Sequence, residues 1–122
     1  MSTKPLKIYI AGRYSDNNIL GCLNNIHDGI KAAVAVLKLG HVPFCPWTDF
    51  LFQMFDKSLT VEDYYRYSMA WLEVSDEVWV LPDSGESVGT QKEIERAYER
   101  GIPVGEYEQE LAFWTRKRKG DL

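Results

Sequence analysis

Few residues in this sequence mark a specialised class of protein. It has two cysteines and two histidines in 122 residues, which are too few for a disulfide framework and lack the spacing of a metal site. It has no run of 18 apolar residues and no signal-peptide pattern, and its net charge of −4 leaves no basic excess for nucleic acid. We therefore expect a cytoplasmic protein without a metal, a cofactor, a nucleic-acid partner or a membrane partner.

What the sequence does contain is the composition of an ordinary globular domain. Hydrophobic residues make up 45% of the chain and charged residues 26%, as in folded rather than disordered proteins. A chain of this length builds one core. We therefore predict a single domain over residues 1–122 with its core in residues 6–104, and a last helix and a basic tail in residues 105–122.

Short apolar runs predict four parallel strands. The runs near residues 6–11, 41–45, 77–81 and 102–104 are typical of buried strands, and Pro43 indicates that the second of them is an edge strand. The right-handed crossover rule then orders the strands 2-1-3-4. We predict a three-layer α/β sandwich of the flavodoxin or Rossmann kind, with a parallel sheet of four or five strands.

Amphipathic patterns predict the helices and their buried faces. Helices are expected over about residues 18–39, from a Thr60-x-x-Asp63 capping box to about Val74, and from Val88 or Gly89 to just before Gly101. The residues expected on the buried faces are Ile19, Leu23, Ile26, Ile30, Ala33, Val34 and Leu37 in the first helix, Val61, Tyr64, Tyr65, Ser68, Trp71 and Leu72 in the second, and Ile94, Ala97 and Tyr98 in the third.

The junction between the third strand and the third helix has the residues of a ligand site. Parallel strands open a crevice at their carboxyl ends, and a helix beginning there offers free N–H groups and a partial positive charge. Ser87, Gly89 and Thr90 suit a phosphate, because they combine two hydroxyls with close access to the backbone. Glu93 follows one helical turn after Gly89, where its carboxylate suits attack on a sugar carbon.

These residues also carry a resemblance to a known family. The pattern Ser87-x-Gly89-x-x-x-Glu93, followed by Ala97, resembles the signature of the nucleoside 2-deoxyribosyltransferase superfamily. It is most similar to the deoxynucleoside 5′-monophosphate N-glycosidase branch and to small phage and bacterial relatives. The run from Tyr9 to Gly12 resembles the family's opening tyrosine-x-x-glycine, so that the likeness covers about residues 6–104.

The resemblance implies a role for each matching residue. Glu93 would be the nucleophile on C1′ of deoxyribose, while Ser87 and the Gly89 amide would hold the 5′-phosphate. Tyr9 and Gly12 would line the sugar and the base. The resemblance also implies a homo-oligomer with sites near the subunit interface, acting on a small nucleotide or nucleoside.

The loop after the first strand is expected at the same edge of the sheet. Arg13 and Ser15 in this loop are candidate phosphate contacts, and the alternative is a turn with an exposed arginine.

The segment 46–58 is too apolar for a free loop. It is either a flap that stacks on the nucleobase through Trp47 or Phe50, a contact with a second subunit, or a cover over the sheet. Asp49 and Asp56 are the acids within reach of a base bound there.

One position departs from the family pattern. Family members usually carry an aspartate three residues before a Trp-Leu pair, where it protonates or orients the leaving base, and this chain has Ser68 there. A serine has no usable proton for the base at neutral pH. Either Asp49, Asp63 or a tyrosine substitutes for the aspartate, or catalysis is weak or absent.

The preferred hypothesis is an enzyme that cleaves the N-glycosidic bond of a (deoxy)nucleoside 5′-monophosphate through a glycosyl-glutamate, as a nucleotide N-glycosidase or a 2-deoxyribosyltransferase. The alternative for Glu93 itself is an exposed helical glutamate paired with Arg96 or Lys92. One alternative function is a nucleotide-binding module without turnover, which the Ser68 departure favours. Another is a ribonucleotide phosphoribohydrolase, whose motif this chain matches only from Gly89 to Glu93.

Overall fold

The structure is a computed structural model that describes residues 4–120 of the chain. Residues 1–3, 121 and 122 lie outside the described residues. The two ends of the predicted domain, including the last two residues of its basic tail, therefore lie outside them as well. The domain boundaries therefore stay a prediction. None of the helices in the described part of the chain is long and apolar enough to cross a bilayer.

Strands and helices alternate along the described chain, with a short 3₁₀ helix after the second strand. The elements are β1 (Lys7–Ala11), α1 (Ile19–Lys38), β2 (Val42–Phe44), the 3₁₀ helix (Pro46–Asp49), α2 (Phe50–Phe55), α3 (Val61–Glu73), β3 (Glu77–Val80), α4 (Val88–Glu99), β4 (Val104–Glu106) and α5 (Tyr107–Arg118).

The four strands form one parallel sheet in the order β2-β1-β3-β4, which confirms the predicted topology. Tyr9 of β1 pairs with Phe44 on one side and with Val78 of β3 on the other. Pro43 lies in the edge strand β2, where its missing N–H removes no interior ladder bond. The carboxyl ends of the two central strands, β1 and β3, therefore lie side by side.

Helices cover both faces of the sheet, because successive strand residues point to opposite sides. Ile8, Ile10 and Trp79 pack in a core with α1 and α5. Tyr9 and Val78 pack on the other face, in a core with α3 and α4. The predicted three-layer α/β sandwich is therefore confirmed.

The buried face of α1 is only partly the predicted one, since Ile26 and Ala33 are buried as expected. The residues that α1 buries are Asn25, Ile26, Gly29, Ala32, Ala33 and Val36. Ile19, Leu23, Ile30, Val34 and Leu37 were expected inside but are 42–67% exposed. The reason is a close helix contact, since a Cβ on Gly29 would lie 2.2 Å from the Trp47 ring. Gly29, Ala32 and Ala33 therefore face the core together with Ile26 and Val36, and most of the large apolar side chains of α1 face outward.

The faces of α3 and α4 also differ from the prediction. Val61 and Trp71 of α3 and Tyr98 of α4 are exposed, although they were expected inside. Met69 takes the predicted place of Trp71 in the core. In α4 the buried residues are Thr90, Glu93 and Ala97, which is a mostly polar face that a search for apolar periodicity does not find.

Candidate active site

A cavity of about 1000 Å³ lies where the carboxyl ends of β1 and β3 meet the start of α4. Its walls come from the loop after β1, the 3₁₀ helix, α3 and the loop after β3, so four distant segments build it. This is the position at which open parallel sheets bind ligands. The predicted site residues among its lining are Gly12, Arg13, Ser15, Trp47, Asp49, Ser68, Ser87, Gly89 and Glu93.

Glu93 is a buried carboxyl group in the wall of this cavity. It is 9% exposed, and the Tyr9 hydroxyl donates a hydrogen bond to its Oε2. Burial raises the pKa of Glu93 from 4.5 to about 8, while the Tyr9 hydrogen bond acts in the opposite direction. The alternative of an ion pair with Arg96 is wrong, because Arg96 Nη1 lies 3.1 Å from Glu73 Oε1.

Tyr9 reaches the cavity only through Glu93. Its side chain has no exposed surface and is not among the residues that line the cavity. Burial, followed by the charge of Glu93, raises the pKa of Tyr9 well above its usual range, so the hydroxyl keeps its proton and donates it. The expectation that Tyr9 lines the sugar and base is therefore corrected, since Tyr9 orients the glutamate behind the cavity wall.

The start of α4 is built as an open helix terminus. Ser87 is the N-cap, and its Oγ accepts a hydrogen bond of 3.2 Å from the Thr90 N–H. A Cβ on Gly89 would meet no atom closer than 4.0 Å, so packing within the chain does not require this glycine. Ser87 and Gly89 both line the cavity at the positive end of the helix.

Thr90 does not lie where it was predicted. It is 1% exposed and is absent from the cavity lining, so its hydroxyl cannot contact a phosphate held in the cavity. Within residues 4–120 its Oγ1 has no hydrogen-bond partner. Its backbone N–H already donates to Ser87 Oγ. The phosphate role predicted for Thr90 is therefore corrected.

The charges around the cavity are mostly negative. Arg13 lines it together with Ser15, and the Arg13 N–H donates to Ser84 Oγ at 3.2 Å, which joins the two loops at the sheet edge. The alternative of an exposed arginine fits as well, since its side chain is largely in solvent. The carboxyl groups that line the cavity belong to Asp16, Asp49, Asp83, Glu86 and Glu93.

Trp47 supports the cavity wall and has little surface for a stacked base. The side chain is 1% exposed, and its ring packs on Gly29 while its Nε1 donates to the Arg13 carbonyl at 3.1 Å. Phe50 packs against the core under α1 and does not line the cavity. The predicted stacking of a base on Trp47 or Phe50 is therefore corrected, because the Trp47 side chain is almost fully buried and Phe50 does not line the cavity.

The two aspartates of the segment 46–58 differ in burial and in their position relative to the cavity. Asp49 is 6% exposed and lines the cavity, and the Tyr14 hydroxyl donates to its Oδ1 at 2.9 Å. Asp56 is exposed, bonded to Ser58 and outside the cavity lining.

Ser68 is 8% exposed and lines the cavity. Asp63 is held by Thr60 in the predicted capping box and does not line the cavity.

The sequence matches, over residues 6–107, the family described as Domain of unknown function (DUF7768). The chain belongs to this family. A search of curated proteins gives no match. Among solved structures, the 2-deoxyribosyltransferase from the psychrotolerant bacterium Bacillus psychrosaccharolyticus is similar to this chain, with a TM-score of 0.61 and 21% identity over 80% of this chain and 69% of that one. At this identity the likeness shows the fold.

The DUF7768 domain also brings residues to the cavity that sequence reasoning missed. Tyr14 comes from the loop after β1, and Tyr64 and Tyr65 come from the first turn of α3. Within the described residues the Tyr64 hydroxyl is buried and has no hydrogen-bond partner. Tyr64 and Tyr65 matched the expected buried face of α3, and Tyr14 lies in the loop after β1, so none of them gave a separate signal. Between residues 4 and 120 no group of three or more His, Cys, Asp and Glu is placed to hold a metal ion.

Proposed function

We propose that this DUF7768 domain is an enzyme that cleaves the N-glycosidic bond of a (deoxy)nucleoside 5′-monophosphate, as an N-glycosidase or a 2-deoxyribosyltransferase. The observation that carries the proposal is the position of Glu93. A buried carboxyl group faces a cavity of about 1000 Å³ one helical turn from an open helix N-terminus. Buried acids with shifted pKa values in a cavity are typical of catalytic sites.

The proposed cleavage of the N-glycosidic bond requires Glu93 in its ionised form. Its carboxylate oxygen forms a bond to C1′ while the C1′–N bond breaks and its electron pair leaves with the base, through an oxocarbenium-like transition state. Water or a second base then attacks C1′ and releases Glu93. Tyr9 supports this role, because a hydrogen bond donated to the carboxylate favours its ionised form.

The other end of the cavity suits the 5′-phosphate. The Ser87 hydroxyl and the free N–H groups near Gly89 lie at the positive end of α4, and Arg13 is the cation among the described lining residues. Gly12 lines the cavity against the Trp47 ring, where a Cβ would lie 3.0 Å from that ring. We propose that these groups hold the phosphate and the sugar.

A free nucleoside is the second candidate substrate. Asp16, Asp83 and Glu86 lie at the cavity with one arginine, and the negative charges of these three residues disfavour binding of a phosphate group. A neutral nucleoside would avoid this repulsion. The same cavity and the same role of Glu93 apply to both substrates, so the two differ only in what Ser87 and Arg13 contact.

Base release tests the proposal directly. The protein is incubated with a panel of deoxyribonucleoside and ribonucleoside 5′-monophosphates and the matching free nucleosides, and free base is measured by chromatography. We expect release that is lost in Glu93→Ala and kept in Glu95→Ala, because Glu95 is an exposed glutamate of the same helix.

Each other outcome supports a different function. Release that survives in Glu93→Ala would contradict the proposed nucleophile. Ligand binding without any release would favour a nucleotide-binding module, and cleavage of ribonucleotides alone would favour a phosphoribohydrolase. Release from nucleosides but not from their monophosphates would favour the second candidate substrate.

We also propose that the chain forms a homo-oligomer. The support is the row of large apolar residues that α1 leaves exposed, Ile19, Leu23, Ile30, Val34 and Leu37. They recur at steps of three, four and seven residues, which places them along one side of the helix. Such a continuous apolar row is typical of a subunit contact.

A further inference from the structure

Asp49 has the burial of a functional acid and no structural task that explains it. It precedes α2, where an aspartate commonly caps a helix, yet its side chain makes no cap hydrogen bond. Within residues 4–120 it forms no ion pair, and Tyr14 is its hydrogen-bond partner. A carboxyl group that is 6% exposed therefore lies at the cavity with one oxygen unbonded to the described residues.

The surroundings of Asp49 shift its carboxyl group towards the protonated form. Burial raises the pKa of Asp49, although the Tyr14 hydrogen bond acts in the opposite direction. The charge of Asp49 also contributes to the raised pKa of Tyr9 and of Tyr64, so this carboxyl group is within electrostatic reach of the Glu93 side of the cavity. Asp49 and Glu93 thus belong to one site and come from different elements.

At Ser68 the cavity lacks the acid that the proposed reaction needs. A leaving nucleobase needs a proton, and the serine hydroxyl does not supply one at neutral pH. Asp63 is held in the capping box outside the cavity. The tyrosines at the cavity, Tyr14, Tyr64 and Tyr65, have pKa values raised chiefly by burial, which makes them weaker acids. The carboxyl groups of Asp16, Asp83 and Glu86 also line the cavity but belong to exposed residues. Among the described lining residues, Asp49 is the buried acid besides Glu93.

We propose that Asp49 is the general acid that protonates the leaving base, in place of the aspartate that this chain lacks at Ser68. The proposal rests on the proposed function and names the proton donor of that same site. Tyr14 is a positioning residue, because its hydrogen bond to Oδ1 leaves the other oxygen of Asp49 free to face the base.

The proton and electron pairs balance in two steps. In the first, Glu93 bonds to C1′, the C1′–N electron pair leaves with the base, and the proton of Asp49 moves to the base nitrogen. In the second, Asp49 is a carboxylate and accepts a proton from water as the water oxygen bonds to C1′ and Glu93 leaves. The reactive form therefore carries a proton on Asp49 and none on Glu93. Because burial raises the pKa of Glu93 to about 8, this form competes with the one in which Glu93 holds the proton.

The test compares leaving groups that do and do not need a proton. Asp49→Asn keeps the size of the side chain and an oxygen that can accept from Tyr14, and Asp56→Asn is the matched control on the exposed aspartate. The probes are the panel compound that the protein cleaves fastest and the 4-nitrophenyl glycoside of the same sugar. We expect Asp49→Asn to lose about 100-fold or more with the nucleobase and less than about tenfold with 4-nitrophenolate.

The pH profile gives a second readout that a structural role would not move. A site that needs one proton gives a bell-shaped profile, whose alkaline limb reports loss of that proton. In Asp49→Asn the alkaline limb should disappear. In Tyr14→Phe the limb that reports Asp49 should move to higher pH, because the hydrogen bond that lowers the pKa of Asp49 is removed. The Tyr14→Phe readout applies even if Asp49→Asn does not fold, which circular dichroism checks.

Failure of this inference differs from failure of the proposed function. Base release that depends on Glu93, together with equal losses for both leaving groups or an unchanged alkaline limb in Asp49→Asn, would overturn the role of Asp49 alone. No base release by the unmodified protein from any compound of the panel would overturn both.

Discussion

At the scale of single residues, the burial of Glu93 serves its proposed function and lowers the free energy of unfolding as pH rises. An acid whose pKa rises from 4.5 to about 8 on folding holds a proton in the folded state that the unfolded chain has already lost. The folded state binds more protons than the unfolded state over this pH range, so the free energy of unfolding falls as pH rises from about 4.5 to about 8. A glutamate with a purely structural role gains nothing from such burial.

This linkage predicts a measurement that needs no substrate. In Glu93→Gln the side chain keeps its shape and cannot ionise, so the decrease in the free energy of unfolding between pH 5 and pH 8 should become smaller than in the unmodified protein. Urea unfolding at the two pH values measures it, with Glu95→Gln as the exposed control. An equal decrease in both proteins would mean that Glu93 is hydrated, contrary to its burial.

At the scale of secondary-structure elements, α1 is positioned by the contact of Gly29 with Trp47. The Trp47 ring packs directly on Gly29, and the same ring bonds to the Arg13 carbonyl and so holds the loop at the cavity. Close contact between α1 and the 3₁₀ helix therefore determines both which face of α1 is buried and how the cavity wall is held.

Gly29→Ala should therefore destabilise the protein, although alanine is the better helix former by about 1 kcal/mol. The new Cβ would lie 2.2 Å from the Trp47 ring, which forces the helix or the ring to shift. We expect a loss of roughly 1–3 kcal/mol in the free energy of unfolding. Urea unfolding checks it, and Asn24→Ala on the exposed side of α1 is the control. A gain in stability for Gly29→Ala would contradict the contact.

The elements themselves were largely predictable from the sequence, because each is specified by residues close together in the chain. The apolar runs of β1 and β3, the capping box at Thr60 and Gly101 with its φ of +68° after α4 all lie where local patterns predict them. The buried faces of α1 and α4 were not predictable in this way, since Gly29 and Glu93 are buried by contacts with distant segments.

The same distinction applies to the candidate site. Glu93, Ser87 and Gly89 form a local motif, and all three line the cavity. Asp49 and Tyr14 are 35 residues apart, and their pairing depends on the packing of two loops that no spacing rule describes. Thr90 matched the motif but is buried, because the side of α4 on which it lies faces the protein interior.

At the scale of the whole molecule, the exposed row on α1 predicts a subunit contact. Leu37→Glu places a charge in this row, where the side chain is 61% exposed in the single chain. We expect the mass measured by light scattering to fall towards that of one chain, because a buried unpaired charge opposes association.

Asn24→Glu adds the same charge to a polar position of α1 and should leave the mass unchanged. An oligomer whose mass is the same in all three proteins would place its contact on another surface. A single-chain mass for the unmodified protein would contradict the homo-oligomer itself.

The whole account depends on a covalent bond between Glu93 and a sugar, and trapping that bond tests it most directly. A 2′-fluoro-arabino analogue of the cleaved compound slows the second step, since the fluorine destabilises the oxocarbenium-like transition state. After incubation, digestion and mass spectrometry, we predict the mass of the glycosyl group on the peptide that contains Glu93, and no such addition in Glu93→Gln. Base release with the added mass on another residue would contradict the account.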